Sequence, residues 1–477
     1  MDIQERMPLY KALHKHIQLN STSFHVPGHK NGLLFQGQSN ILAADITEIS
    51  GMDDLYHPTG IIMEAQQLLT SLYRSDQSLF LVGGSTVGNL SMIYGTCTEG
   101  DTVLVQRNCH KSIIHGLILA KVVPVFMEPE YDYETGIAKG VAVNTVKEAV
   151  TLHPHAKAII LTYPNYYGMV DPIQEVIQFA HSVDLPVLVD EAHGAHFIGK
   201  GPFPHSSFEL GADVVVQSAH KTLPTLTMGA FLHIREGLVD AHTIREALAI
   251  LQTSSPSYLI MASLDYARSY LGTFSDEDYV FWQQYRQEIV SCLHSIQAIE
   301  CIDRSNDDPL KITIRMSSGE NGQTLQRYLE GKGIFPEFSD PRYVLLIFPL
   351  FKVKHEQQAT GYLKVLKEAL QNLPYDFTKR LKEEMKNYRD FGQSKVHIPE
   401  IPLYQVKQTK KKWLSLSSAV GHVSGGMIIP YPPGIPLLMP GEVIQQHHIQ
   451  YLHEISKNNI HVQGDGWDLD QYILVLA

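Results

Sequence analysis

The sequence predicts an α/β protein with a mostly parallel sheet, followed by a smaller α+β domain. Short β-branched apolar runs such as PVLV (186–189) and DVVVQ (213–217) are typical of buried strands in a parallel sheet. From about residue 62 such runs alternate with segments whose apolar residues have helical spacing. After residue 300 the order becomes strand, helix, strand, helix, which indicates a separate unit.

Taken in order, the chain begins with a predicted arm helix over 3–18, and a second helix is expected over 61–74. The expected strands of the large sheet lie at 78–82, 102–106, 122–126, 158–161, 186–189 and 213–217. In the second unit we expect strands at 311–315 and 343–348 and helices at 322–333, 361–373 and 378–389. The stretch 395–403 has the composition of a linker.

Composition narrows the class of protein. The chain has 477 residues, 44% of them hydrophobic and 18% charged, which is ordinary for a soluble globular protein. No apolar run has the length of a membrane span, and the polar N-terminus lacks a signal-peptide core. Four cysteines without a CxxC motif predict reduced thiols in the cytoplasm. A net charge of −12 disfavours a nucleic-acid partner and mildly suits a cationic small molecule, and without a long apolar run no membrane partner is expected.

Polar loops follow several of the predicted strands. They include GGSTVGN (83–89), RNCHKS (107–112), YPNYYG (163–168), DEAHGAH (190–196) and SAHK (218–221). Because the carboxyl ends of parallel strands meet at one edge of a sheet, these loops are expected to line one ligand site.

Asp190 and Lys221 suggest the chemistry of that site. A buried lysine loses its proton more easily and can attack a carbonyl. A pyridoxal 5'-phosphate (PLP) enzyme needs such a lysine for its Schiff base, and a carboxylate on the pyridinium nitrogen keeps the ring an electron sink. From these two residues alone the alternative stays open that Asp190 caps a turn and Lys221 is solvated.

The GGSTVGN loop places glycines and hydroxyls at a predicted helix start, where proteins bind phosphate. It lacks the GxGxxG pattern of a dinucleotide site, so a single phosphate monoester is the better match. His110, just past a strand, either stacks on an aromatic ring or caps the next helix.

Two other readings of the DEAHGAH segment are weaker. It contains the DEAH string of certain helicases, and 194–200 matches GxxxxGK, but Gly201 stands where a P-loop needs Ser or Thr. His193, His196 and Glu191 lack the helical HExxH spacing of a zinc site, so no metal is expected.

Together these motifs resemble the Orn/Lys/Arg decarboxylases, a PLP-dependent bacterial family. The resemblance extends from residue 24 to 442 through FHVPGHK, DITEISGMDDLYHP, GGSTVGN, RNCHKS, YPNYYG, DEAHGAH, SAHKTLPTLTMGAFLH and YPPGIPLLMPGE. It implies fold type I, the aspartate-aminotransferase fold, with a mostly parallel seven-stranded sheet. It also implies four regions: an arm with substrate loops (1–60), a PLP-binding major domain (61–295), a small α+β domain (300–395) and a C-terminal decarboxylase subdomain (396–477).

The resemblance also implies roles for single residues. Lys221 would carry PLP, Asp190 would pair with the ring nitrogen, His110 would stack on the ring, and His193 would lie near the phenolic oxygen or the substrate. The residues implied around the phosphate are Ser85, Thr86, Ser218 and His220. The residues that the resemblance implies around the substrate, across a dimer interface, are His25, Asp53 and Glu442.

The implied reaction is α-decarboxylation of a cationic amino acid in polyamine biosynthesis, with arginine ahead of lysine and ornithine. The chain leaves no room for the N-terminal wing domain of the larger members, so it is similar to the short branch that contains biosynthetic arginine decarboxylases. Met228 and Gly229 stand where many relatives have glutamine.

Two alternatives remain. The first is another fold type I reaction, either aldol cleavage or transamination, in which Arg315 or Arg342 would hold the substrate carboxylate. The second is a non-catalytic binding protein. A homodimer or higher oligomer is expected from the family.

Overall fold

The computed structural model describes residues 2–19, 27, 30, 39–198, 200–304, 306–319, 321–374, 395–431, 436–457, 461–468 and 471–477. The strands are β1 Gln77–Leu81, β2 Thr102–Gln106, β3 Val123–Met127, β4 Ala158–Thr162, β5 Val187–Asp190, β6 Val214–Gln217, β7 Ala230–Ile234, β8 Ile299–Ile302, β9 Lys311–Met316, β10 Phe338–Ser339, β11 Val344–Ile347, β12 Val396–His397, β13 Lys411–Ser415, β14 Ile429–Tyr431, β15 His461–Gln463, β16 Trp467–Asp468 and β17 Tyr472–Leu476. The α-helices are α1 Pro8–Gln18, α2 Ser39–Leu42, α3 Ile61–Tyr73, α4 Gly84–Thr96, α5 Lys111–Leu119, α6 Val143–Leu152, α7 Ile173–His181, α8 Ala219–Thr222, α9 Ala241–Leu251, α10 Tyr258–Gly272, α11 Asp276–His294, α12 Gly322–Glu330, α13 Glu356–Gln371, α14 Leu403–Val406 and α15 Gln446–Lys457. Short 3-10 helices lie at Ile3–Glu5, Val353–His355 and Leu416–Ser418.

The central sheet has the strand order β1-β7-β6-β5-β4-β2-β3-β12. Strands β3, β2, β4, β5 and β6 pair in parallel, and β7 runs antiparallel between β6 and β1. Every residue of β5, β6 and β7 is buried, as expected of strands covered on both faces. The prediction of an α/β fold with a mostly parallel sheet is confirmed.

Most predicted strands agree closely with the structure, but one element was not anticipated. The strands expected at 102–106, 158–161 and 213–217 end within one residue of β2, β4 and β6. The expected linker 395–403 contributes β12, where Val396 pairs with Met127 at the sheet edge. This two-residue strand is the eighth of a sheet that was expected to have seven strands. So short a segment has no recognisable periodicity, and the sequence therefore did not predict it.

Alternating side chains of β6 show how helices cover both faces of the sheet. Val214 and Val216 belong to a core with residues of α4, α5 and α9, whereas Val215 belongs to a second core with residues of α6 and α7. This alternation follows from the two-residue period of a strand. The continuous apolar run that predicted β6 is therefore required by burial on both sides.

The N-terminal arm is attached to helix α10 through a buried polar contact. Pro8 begins α1, so the single helix expected over 3–18 is divided into a 3-10 turn and an α-helix. The Asp265 carboxylate accepts the backbone N–H groups of Leu9 and Tyr10 at 3.0 and 3.2 Å. These bonds cap the first turn of α1, where backbone donors otherwise lack partners.

The remainder of the chain forms smaller sheets. The four-stranded antiparallel sheet β10-β11-β9-β8 lies with α12 and α13, as the α+β pattern predicted. Further along, β13-β17-β16 and β14-β15 form two more sheets. The helix expected over 378–389 lies outside the described residues, and the proposed domain limits stay predictions. Within the described ranges, no helix combines the length and apolarity needed to cross a membrane.

Candidate active site

The carboxyl ends of β1, β2, β4, β5 and β6 bring the polar loops together. These strands run in one direction, so the segments that follow them lie along the same edge of the sheet. Open α/β sheets bind ligands at the edge where the loops after several parallel strands meet. The contacts below show which predicted residues meet there.

Lys221 lies in α8, the short helix that follows β6. Its Nζ is 2.9 Å from Nε2 of His193, which belongs to the loop after β5. Burial lowers the pKa of Lys221, while the carboxylates of Asp190 and Glu337 oppose that shift. Burial also lowers the pKa of His193 well below its usual value, and the nearby Lys221 adds to this effect. The pair therefore places a readily deprotonated amine beside a neutral imidazole.

Asp190 is the last residue of β5, and its side chain is buried. One carboxylate oxygen accepts the backbone N–H of Ala192 at 3.1 Å, and the other accepts the amide of Asn89 at 2.9 Å. Among the described residues, no ion pair involves Asp190. A buried carboxylate held by two neutral donors is suited to receive a cationic ligand group.

His110 is the N-cap residue of α5, so the capping alternative describes its present contacts. Its Nδ1 accepts the backbone N–H of Ser112 at 3.3 Å and lies 2.8 Å from the Ser112 hydroxyl. The Ser112 hydroxyl accepts the Asn89 amide at 2.9 Å. A series of hydrogen bonds thus runs from His110 through Ser112 and Asn89 to Asp190. Capping fixes the imidazole without burying it, which leaves a stacking role open.

The predicted phosphate residues meet where α4 begins. The Ser218 hydroxyl donates to that of Ser85 at 2.7 Å, joining the end of β6 to the start of α4. Thr86 is exposed at the same helix start. His220 lies close by in sequence, but its Nδ1 donates to the Gly229 carbonyl at 3.1 Å.

Gly84 begins α4 with a φ of 72°, a left-handed conformation that glycine adopts without strain. Its N–H donates to the carbonyl of Met228 at 2.8 Å. Met228 itself has a φ of 75°, so the loop before β7 holds an unfavourable conformation next to the phosphate residues.

The structure places the three residues suggested for substrate binding in different settings. His25 lies outside the described residues. Asp53 caps α3, and its carboxylate accepts backbone N–H groups of Thr59, Gly60 and Ile62 at 2.8 to 3.0 Å. Burial alone would raise the pKa of Asp53, but these backbone bonds outweigh it and lower the pKa.

Glu442 makes a two-point ion pair with Arg107, the residue that follows β2. Burial opposes ionisation of Glu442, but Arg107 lowers its pKa. The C-terminal part of the chain is thereby joined to the site edge of the sheet. A substrate role for Asp53 or Glu442 stays a prediction, and both carboxylates already have partners.

Sequence reasoning did not single out Tyr166, Lys311 or Glu337. Tyr166 belongs to the loop after β4, and its ring packs edge-on to His193 with centroids 4.7 Å apart. Nζ of Lys221 and Nζ of Lys311 each lie 5.9 Å from the centre of this ring. The Tyr166 hydroxyl donates to Glu337 at 2.8 Å, and its carbonyl accepts from Lys311 at 2.9 Å. Tyr166 belongs to the YPNYYG motif, which could have indicated it, but no sequence motif marked Lys311 or Glu337.

The other polar residues of the DEAHGAH segment hold the loop in place. Nε2 of His196 lies 2.8 Å from Asp308, and both side chains are fully buried. Glu191 accepts hydrogen bonds from Ser206, Ser207 and Gln217. In the described part of the chain, no group of three His, Cys, Asp or Glu side chains has an arrangement suited to a metal ion.

The family models and the known proteins that match this chain together cover nearly its whole length. The family model described as "Orn/Lys/Arg decarboxylase, major domain" matches residues 7–305, and the C-terminal domain model of that family matches residues 379–464. The chain is 42% identical over 479 residues to the "Uncharacterized protein YaaO" of Bacillus subtilis (strain 168), covering 98% of each chain. It is 33% identical over 486 residues to an "Arginine decarboxylase" of Bacillus anthracis, covering 97% of this chain and 95% of that protein.

Solved structures share the fold. The crystal structure of the Francisella novicida lysine decarboxylase LdcF superimposes with a TM-score of 0.79 at 21% identity, covering 99% of this chain and 81% of that one. The Sphingomonas wittichii serine palmitoyltransferase superimposes with a TM-score of 0.55 at 15% identity, covering 77% and 84%. At these identities the likeness concerns the fold.

Proposed function

Because the chain belongs to the Orn/Lys/Arg decarboxylase family, we propose that it is a PLP-dependent decarboxylase acting on a cationic amino acid, with arginine ahead of lysine and ornithine. The preference for arginine is supported by relatives of nearly full length that are named arginine decarboxylase. The products would be the corresponding amine and carbon dioxide, as in polyamine biosynthesis.

One observation carries the proposal: Asp190 ends β5 and Lys221 follows the neighbouring parallel strand β6, and the surroundings of both side chains suit PLP. Asp190 is a buried carboxylate with two neutral donors, which fits a protonated ring nitrogen. Lys221 is an amine whose pKa is lowered by burial, which fits attack on an aldehyde. Hydroxyls of Ser85 and Thr86 at the start of α4, with that of Ser218 just after β6, fit a phosphate monoester. His110 would cover the ring. These residues fit PLP.

When bound, PLP supplies a conjugated ring that accepts the electron pair left at Cα as carbon dioxide departs. The role of Asp190 is to hold a positive charge at the ring nitrogen, and Asn89 fixes the carboxylate for that purpose. Over the whole reaction the bond between Cα and the carboxylate breaks, and one proton is added at Cα. The protein must therefore orient the carboxylate and deliver that proton.

Lys221 is the proposed proton donor to Cα. Its amine would carry the proton, and His193, whose Nε2 lies 2.9 Å from Nζ of Lys221, would hold or return it. His220 is less suited to this proton transfer. Its Nδ1 is bonded to the Gly229 carbonyl, so we assign it to the phosphate end of the site.

Glu337 supports a cationic substrate. Its carboxylate is exposed, accepts a hydrogen bond from the Tyr166 hydroxyl, and opposes the burial that lowers the pKa of both Lys221 and Lys311. An acid near the amine that the substrate displaces is placed to attract a positively charged side chain. We assign Glu337, ahead of Asp53 and Glu442, to the distal cation.

The structure bears on the rival reactions. An aminotransferase would need an arginine for the substrate carboxylate, and Arg315 is instead bonded at two points to Glu300, at 2.6 and 2.8 Å. Arg342 lies beside the Thr135 carbonyl. A non-catalytic binding protein would have no need of the Lys221–His193 contact. A homo-oligomer and a cytoplasmic location stay predictions.

The proposed function is tested with the full chain reconstituted with PLP. We expect the visible absorbance band of lysine-bound cofactor, and carbon dioxide release from arginine, lysine or ornithine offered separately. A band without release from any of the three would contradict decarboxylation of these substrates. Absence of the band would contradict the cofactor assignment and favour the binding-protein alternative.

A further inference from the structure

We propose that Lys311 forms a carboxylate-binding subsite that receives the α-carboxylate of the substrate. This inference rests on the proposed function and adds a residue of the small antiparallel sheet to a site whose proposed cofactor residues all come from the large one. Lys311 is the first residue of β9, next to Tyr166 and in electrostatic reach of Lys221.

The first argument is that Lys311 is buried and has few partners. It is 5% exposed, and within the described part of the chain its Nζ makes one hydrogen bond, to the Tyr166 carbonyl, and no ion pair. An ammonium group has three donors, so further hydrogen bonds can be made. A buried cation without a bonded anion is costly, and a ligand carboxylate would reduce that cost.

The two acidic side chains near Lys311, Asp308 and Glu337, do not bind its ammonium group. Asp308 uses one oxygen for His196, at 2.8 Å, and for the backbone N–H of Leu310, at 3.0 Å. Glu337 is bonded to the Tyr166 hydroxyl. Neither forms an ion pair with Lys311 among the described residues. Burial lowers the pKa of Lys311 to about 7; Asp308 and Glu337 oppose that shift and Lys221 adds to it.

The second argument is that Lys311 shares its surroundings with Lys221. Both amines lie 5.9 Å from the centre of the Tyr166 ring, and both lower the pKa of His193. The substrate amine takes the place of Lys221, so the substituents of Cα come close to this ring. Of these substituents, the carboxylate is the anionic one and matches Lys311.

This chemistry suits a decarboxylase because the attraction ends with the reaction. The ammonium binds a carboxylate strongly but has little attraction for neutral carbon dioxide or for a hydrogen on Cα. The subsite therefore discriminates the amino acid from its amine product, and it favours release of the latter.

The test compares ligands that do and do not carry the carboxylate. In the PLP-loaded K311M variant, we expect the dissociation constant of α-methylarginine, measured by calorimetry, to rise about 10- to 100-fold, the usual loss for a charge-assisted hydrogen bond. The dissociation constant of agmatine should stay within about twofold of wild type, as expected where no interaction is removed. Equal weakening of both ligands would indicate a merely structural role and overturn the proposal.

Lys352 offers a matched control for loss of a buried lysine. Its Nζ donates to the carbonyl and the hydroxyl of Thr273, and it lies over the ring of Tyr270. K352M should leave the ratio of the two dissociation constants unchanged. A change as large as that of K311M would show that the ratio does not report on Lys311, which would overturn the assignment.

A second measurement uses the wild-type protein in case K311M does not fold. Formate, a carboxylate without an amine, should compete with arginine and yet bind together with agmatine. Mutual exclusion of formate and agmatine, or no competition of formate with arginine, would contradict the subsite.

If the wild-type protein releases carbon dioxide from lysine or ornithine instead of arginine, the binding tests use the α-methyl derivative and the amine product of that substrate. Release from none of them overturns the proposed function itself, independently of K311M.

Discussion

At the level of single residues, the buried carboxylate of Asp190 depends on Asn89, which the sequence marked only as the last residue of the GGSTVGN phosphate motif. Asn89 is fully buried and donates both to Asp190 and to Ser112, which in turn holds His110. Two groups expected at the cofactor, one at the ring nitrogen and one on the ring face, are thus positioned through one amide. Such a role arises from a contact across 101 residues of chain, and no local motif reports it.

We expect N89A to weaken PLP binding about 10- to 100-fold, because a buried hydrogen bond to a charged group is lost. The dissociation constant is measured from the visible absorbance during titration of apoprotein. S91A is the matched control, since Ser91 is a buried residue of the same helix whose hydroxyl has no partner among the described residues. Unchanged affinity in N89A would contradict the positioning role.

Asp53 illustrates how a residue that the resemblance implied for substrate binding can have a structural role. We expect D53A to reduce the free energy of unfolding by about 1–2 kcal/mol, as the loss of a side chain that accepts backbone N–H groups at a helix start does. Its pKa is lowered in the folded state. The contribution should therefore be present above about pH 4, the ordinary pKa of an aspartate, and be lost as pH falls towards the lower folded value.

Urea unfolding of wild type and D53A across this pH range measures that contribution, with D54A as a control. The difference between wild type and D53A should shrink as the solution becomes more acidic. A difference independent of pH, together with a large change in KM at neutral pH, would favour the substrate role instead.

At the level of elements, sequence patterns predicted most strands and the edge where the site lies. Periodicity and turn residues located β2, β4 and β6 within a residue, because buried parallel strands need continuous apolar runs. The strand-end loops predicted the meeting of Asp190, Lys221 and His193. Lys311 and Glu337 were missed because they come from the second unit: Lys311 begins β9 in KITIR, which has the pattern of an ordinary strand, and Glu337 precedes the two-residue strand β10. The two-residue β12 was missed because it has no period.

Helix α4 must approach the sheet closely to place its first turn at the site. A Cβ on Gly88 would lie 2.6 Å from a methyl of Val216 and 2.7 Å from one of Leu81. We expect G88A to displace α4, lowering stability by about 1–3 kcal/mol, as overpacking does, and weakening PLP binding. Thermal unfolding and cofactor titration measure the two effects.

Gly361 in α13 is the matched control, because a Cβ there meets no atom within 4 Å. G361A should raise stability by about 1 kcal/mol through helix propensity and leave PLP affinity unchanged. If G88A behaved like G361A, the close approach of α4 would not matter for the site.

At the level of the whole molecule, the site combines two sheets far apart in the chain. The large sheet supplies Asp190 and Lys221, and the small one supplies Lys311 and Glu337. The fully buried contact between His196 and Asp308 joins the loops of the two parts directly behind this arrangement. The fold class could be predicted from pattern alone, whereas the composition of the complete site depends on how these parts pack. No local sequence signal encodes that packing.

The central claim is that Lys221 enables this molecule to decarboxylate a cationic amino acid. The most direct measurement is release of labelled carbon dioxide from carboxyl-labelled arginine by PLP-loaded wild type and by K221A, with lysine and ornithine tested in parallel. We predict release by wild type with at least one of the three, and loss of release and of the visible cofactor band in K221A. Retained turnover in K221A, or no release by wild type with a normal band, would contradict it.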